Sequence, residues 1–121
     1  LVRVPEDVDA FQLEKWTPNF VSTRRVVAPP VFLNDPVVAG GLDGHIVLIR
    51  AADPGYDWIF GHAISGLVTQ FGGVASHMAI RAAEFGLPAA IGCGEVIFEK
   101  LRLASLVELD CVNQRVNGVY Q

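Results

Sequence analysis

The chain has 121 residues, 51% of them apolar, and a net charge of −4 with acids and bases scattered along it. One domain with a core is affordable at that length, burying roughly two-thirds of the unfolded surface. Nucleic acid is disfavoured by the missing basic face, no apolar run nears the ~20 residues needed to cross a bilayer, and two cysteines that read as buried thiols rather than a disulfide framework point to a cytoplasmic home.

Residues 1–19 are the hardest to read. "PEDVDAFQLEKW" is either a short helix with Pro5 in its first turn or a linker from a preceding domain, and Thr17-Pro18-Asn19 ends it. "FVSTRRVVA" (20–28) is rich in β-branched residues and predicts a strand. "PPVFLNDPVVAGGLDG" (29–44) is turn-rich, with short extended pieces. "HIVLIRA" (45–51) predicts a strand buried on both faces. Asp53 reads as a helix cap and Pro54 as the first helical residue, against which Gly55 weighs. "ISGLVTQ" (64–70) is a second buried strand, running into the glycine loop "FGGVAS". Ser76 stands where an N-cap belongs, "HMAIRAAEF" (77–85) predicts a helix, and Gly86 is its left-handed stop. "PAAIG" (88–92) predicts a strand, "EVIFEKL" (95–101) a short helix, and "SLVELDCVNQRVNGVY" (105–120) a terminal hairpin by its period of two. Strands alternating with helices imply parallel pairing in one sheet, and the turn-rich start and terminal hairpin imply a second β layer. The fold class is α/β.

His77 opens the helix after the glycine loop. Backbone N–H groups in a first helical turn have no partner inside the helix, and the dipole is positive there. Such a place suits an anion and disfavours a protonated ring. A neutral imidazole keeps one nitrogen lone pair and is a nucleophile. If it accepts a phosphoryl group, the product faces free N–H donors. Gly72 and Gly73 let the backbone approach a phosphate. Thr69 and Ser76 supply hydroxyls near the loop. Arg81 lies one turn on, on the same face, as a phosphate partner. The loop is not a P-loop, because the G-x-x-x-x-G-K-[ST] spacing is missing.

Other residues take plainer readings. Cys93 and Cys111 lack ligand spacing and read as buried, small and apolar; no metal site is expected. His45 and His62 read as structural or surface residues. Tyr56, Trp58 and Phe60 are expected to pack their helix on the sheet, or else to form a docking surface. Asp57 and Glu84 are expected to be solvated.

"LVTQFGGVASHMAIRAAEFGLPAAIGCGE" resembles the phosphohistidine, or swivelling, domain of the PEP-utilising enzymes. That family includes phosphoenolpyruvate synthase, pyruvate phosphate dikinase, rifampicin phosphotransferase and Enzyme I of the sugar phosphotransferase system. The likeness is strong over 64–95 and extends over about 42–120. It implies a β/β/α swivelling domain over 41–121, with 1–40 as linker and leading strands, forming one structural domain in the C-terminal part of a larger chain. The glutamine-kinase-like members, whose histidine domain ends the chain, look nearest. By resemblance, His77 is the phosphocarrier of an ATP- or PEP-dependent phosphotransferase. The implied partners are an ATP-grasp domain, which would hold ATP and Mg2+, and an acceptor-substrate domain. No cofactor is expected in this domain itself. Four positions depart from the family pattern. Ala75 replaces a hydroxyl residue, Met78 a small one and Arg81 an apolar one, while Ala83 stands where the family has arginine. These departures motivate the alternative, a regulatory or interaction domain that kept the fold without phosphotransfer.

Overall fold

The computed structural model describes residues 18–33, 41–51, 53–73 and 76–120. The stretch 5–16, read above as helix or linker, lies outside them. Within these described residues, eight strands and two α-helices follow in order. They are β1 (Asn19–Val21), β2 (Arg25–Ala28), β3 (Pro30–Phe32), β4 (Ile46–Ile49), β5 (Gly66–Thr69), α1 (His77–Phe85), β6 (Ala89–Ile91), α2 (Gly94–Arg102), β7 (Leu106–Asp110) and β8 (Arg115–Val119). A 3-10 helix, Pro54–Gly61, lies between β4 and β5.

The central sheet has the order β1-β6-β5-β4-β3, parallel throughout except for β1 at the edge. A second, antiparallel sheet has the order β2-β7-β8. The β4 sequence "IVLI" and the β5 sequence "GLVT" are buried at every position. That is what a parallel strand covered on both faces requires. One face carries Ile46, Leu48, Val68 and Ala90 against Val107 and Leu109 of the second sheet and Phe98 and Leu101 of α2. The other carries Val47, Ile49, Leu67 and Ile91 against Met78, Ala79 and Ala82 of α1 and Ile59 of the 3-10 helix. The layers are therefore sheet, sheet and helix, a mixed α/β fold of the expected class. Each fully buried Leu, Ile or Phe contributes about 1.5–3 kcal/mol, so both faces are needed for a domain of this size.

The stretch 20–28 is not one strand. Ser22 takes φ 75, the left-handed region, and its hydroxyl accepts the Arg24 amide. The chain turns there, so β1 joins the central sheet and β2 the second one. β-Branched content reports extended backbone, not which sheet receives it. The helix read after Asp53 is a 3-10 helix; Asp53 caps it through the Gly55 amide at 2.9 Å, and Pro54 opens it. α1 begins and ends where its caps place it: Ser76 Oγ accepts the Ala79 amide, and Gly86 has φ 64. The terminal hairpin pairs Leu106 with Val119 through Asp110 with Arg115. Among the described residues, no helix is long and apolar enough to cross a membrane.

Candidate functional site

Parallel neighbours bring their following segments together at the carboxyl ends of the strands. β4 ends opposite β5, with Ile49 facing Thr69. The 3-10 helix follows β4; the glycine loop and α1 follow β5. Residues twenty apart in sequence thereby meet.

His77 is the first residue of α1 and exposed, its side chain 42% accessible. Met78 and Ala79, next along the helix, are buried and anchor it. The ring does not stand alone. His77 Nε2 lies 2.8 Å from Asp57 Oδ1, and Arg81 Nε donates to the same oxygen at 3.0 Å. Arg81 Nη1 donates to Glu84 Oε1, also at 3.0 Å. The Arg81 guanidinium lies over Phe85 and Phe60, 5.0 and 5.6 Å from the ring centres, and those rings stack 5.4 Å apart.

Asp57 and Glu84 are solvent-accessible as expected, their side chains 41% and 57% exposed, and Arg81 binds both. The His77 hydrogen bond, and after it Arg81, holds the Asp57 carboxyl below the usual carboxylate range. Asp57 in turn raises Arg81, with Glu84 adding to it. An ionised carboxylate only accepts hydrogen bonds, so Nε2 carries the hydrogen in this contact. A neutral ring then has its lone pair on Nδ1. Sequence reasoning missed Asp57 because its contact with His77 is tertiary. The usable signal was the adjacency of two buried parallel strands, which sends "DPGYDWIF" toward "GGVASH".

The remaining candidate residues serve the backbone here. Thr69 is fully buried; its hydroxyl donates to the Phe71 carbonyl at 2.8 Å and accepts the Gly92 amide at 2.9 Å. Ser76 is occupied as the cap, and its own amide donates to the Gly73 carbonyl. Gly73 faces open space, whereas a Cβ on Gly92 would collide with the Gly72 carbonyl oxygen. Ala75 lies outside the described residues. Met78 is fully buried beneath the helix, and Ala83 is exposed.

The other polar candidates lie apart. His62 comes within 3.8 Å of Asp43, and His45 Nδ1 is 3.0 Å from the Asp43 carbonyl. Tyr56, Trp58 and Phe60 are half-buried and pack on the α1 side of the sheet, as expected. Cys93 and Cys111 are free and buried, and burial pushes the Cys93 thiol up to about 12. A groove of about 680 Å³ opens around the start of α2 and β8, lined by Phe20, Cys93, Ile97 and Val116. It holds none of the His77 cluster. Among the described residues, no three His, Cys, Asp or Glu side chains converge as metal ligands.

Residues 41–114 match the family model of the PEP-utilising enzyme mobile domain. Phosphoenolpyruvate synthase of Aquifex aeolicus is 26% identical over 118 residues, 87% of this chain and 14% of the relative. Rifampicin phosphotransferase of Bacillus cereus is 46% identical over 50 residues, 41% of this chain and 6% of the relative. Phosphoenolpyruvate synthase of Escherichia coli is 34% identical over 77 residues, 64% of this chain and 10% of the relative. The chain thus spans a small part of each of these relatives. A histidine-headed helix on a three-layer α/β core, together with a family match over most of the chain, makes this chain a member of the PEP-utilising enzyme mobile-domain family.

Proposed function

We propose that this domain is a phosphocarrier and that His77 carries the phosphoryl group. A ring-nitrogen lone pair attacks the phosphorus of ATP or phosphoenolpyruvate. The donor P–O bond breaks, and its electron pair leaves on the donor oxygen. At a second site the acceptor attacks the phosphorus, and the N–P electron pair returns to the ring. The domain swings between the two sites. An ATP-grasp domain supplies ATP and Mg2+, and a separate domain supplies the acceptor. Gly72, Gly73, Ser76, Thr69 and Arg81 support the loaded ring, Thr69 and Ser76 by shaping the loop and helix start.

The observation that carries this reading is the placement of His77: exposed, at the first turn of a helix whose next residues are core, with a charged pair fixing the ring. The test uses the full-length protein bearing this domain, incubated with phosphoryl-labelled ATP or phosphoenolpyruvate. Acid-labile, base-stable label appears in the wild type and is lost in His77→Ala, with the fold intact by circular dichroism. Label retained in His77→Ala removes the proposal. The rival reading, a regulatory domain without phosphotransfer, predicts no label from either donor.

A further inference from the structure

A phosphoryl group arriving at His77 meets a carboxylate already bound to the ring. We propose that Asp57 is a place-holder for that group: in the unloaded domain its Oδ1 fills the position between His77 Nε2 and Arg81 Nε that a phosphoryl oxygen takes after transfer. Arg81 then changes partner from carboxylate to phosphate. This deepens the carrier reading and rests on it.

The geometry carries the assignment. One oxygen accepts from both the ring and the guanidinium, at 2.8 and 3.0 Å. Both are donors suited to an oxyanion, and the guanidinium takes phosphate as readily as carboxylate. Arg81 is also held independently of Asp57, by Glu84 and by the stacked faces of Phe60 and Phe85. It stays beside the ring when the carboxylate leaves. Asp57 belongs to a different element, the 3-10 helix, and its side chain is 41% accessible, so it has solvent to turn into.

The ring gives its Nε2 proton to water and takes one from water at Nδ1, which puts the lone pair on Nε2. That pair attacks the phosphorus as the donor P–O bond breaks, its electrons leaving on the donor oxygen. The new phosphoryl group repels the Asp57 carboxylate at this range. Asp57 turns outward, and Arg81 Nε donates to a phosphoryl oxygen. On delivery the N–P electrons return to Nε2, the ring takes a proton from water there and gives up the one on Nδ1, and Asp57 closes again. Asp57 therefore competes with the phosphoryl group for Arg81 Nε and for the space beside Nε2, lowers the loaded fraction, and favours handing the group on.

The experiment uses the full-length protein with labelled ATP or phosphoenolpyruvate and no acceptor, reading the label on His77 at equilibrium. Asp57→Asn removes the charge at nearly constant size and raises the loaded-to-unloaded ratio roughly two- to five-fold. Asp57→Ser moves it the same way and serves if asparagine disturbs the fold. Arg81→Ala lowers the ratio about tenfold, and in that background Asp57→Asn gains less. A second readout needs no donor: long-range 1H–15N spectra of the unloaded wild type show the hydrogen on His77 Nε2, and Asp57→Asn loses that preference. Equal or lower loading in folded Asp57→Asn overturns the place-holder while wild-type label keeps the carrier. An unlabelled His77 in the wild type overturns both.

Discussion

Among the described residues the chain passes from a parallel strand into an α-helix twice, with opposite outcomes. β6 enters α2 through Gly92-Cys93-Gly94, and all three amides end on the carbonyls of Thr69 and Gln70. The capping residue there, Cys93, makes no side-chain cap bond, and its thiol is buried. β5 enters α1 through a loop capped by a serine hydroxyl, and the next side chain is an exposed imidazole facing a carboxylate and a guanidinium. One junction turns its donors inward and becomes core. The other keeps an ionisable group at the surface. Strand, glycine turn and helix start make a possible anion site; which side chain stands at the first turn, and what the neighbouring strand delivers beside it, decides whether there is chemistry to do.

The sharpest way to break this contrast is to remove each junction's distinctive side chain. His77→Ala abolishes labelling, whereas Cys93→Ala leaves labelling intact and costs only about 1 kcal/mol of core stability, measured by urea unfolding. Next is a methyl group placed on a glycine of each junction. Gly92→Ala puts a Cβ against the Gly72 carbonyl at φ 77 and destabilises by about 3 kcal/mol. Gly73→Ala points into open space and stays within about 0.5 kcal/mol of wild type. Denaturation midpoints of the pair read the asymmetry directly. Ser76→Ala, which removes the α1 cap, costs about 1 kcal/mol in the same assay.

The smallest effect is in acid. Asp57 and Glu99 both titrate below their ordinary values, Asp57 chiefly through His77 and Glu99 chiefly through Arg50. The unfolded chain then binds more protons than the folded one as pH drops through about 4. Their contribution is present above that pH and lost as pH falls through the lowered values. Asp57→Asn flattens part of this slope; an unchanged pH profile in that variant would remove Asp57 from the account.

What the sequence discloses follows the range of each interaction. α1 was legible to the residue because its cap, apolar face and left-handed stop are all local. β4 and β5 were legible because burial on both faces leaves an unbroken apolar run. The switch at Ser22 was not, since a single non-glycine residue with positive φ leaves no compositional trace. The 3-10 form of 54–61 was half legible: Asp53 and Pro54 mark the start, but nothing local sets the tightness of the turn. His77 stood out as a candidate from its junction, whereas Asp57 was passed over because its partners come from another element.

Thr69 has one more consequence. Its single hydroxyl bridges the loop leading to α1 and the entry to α2, donating to Phe71 and accepting from Gly92. Opening either passage breaks a contact of the other, so the two behave as one cooperative unit. The Gly92 and Cys93 amides, both on Thr69, should exchange with deuterium slowly and in step with the segment that carries His77. A domain whose His77 end is riveted to its interior in this way holds together as a solid piece.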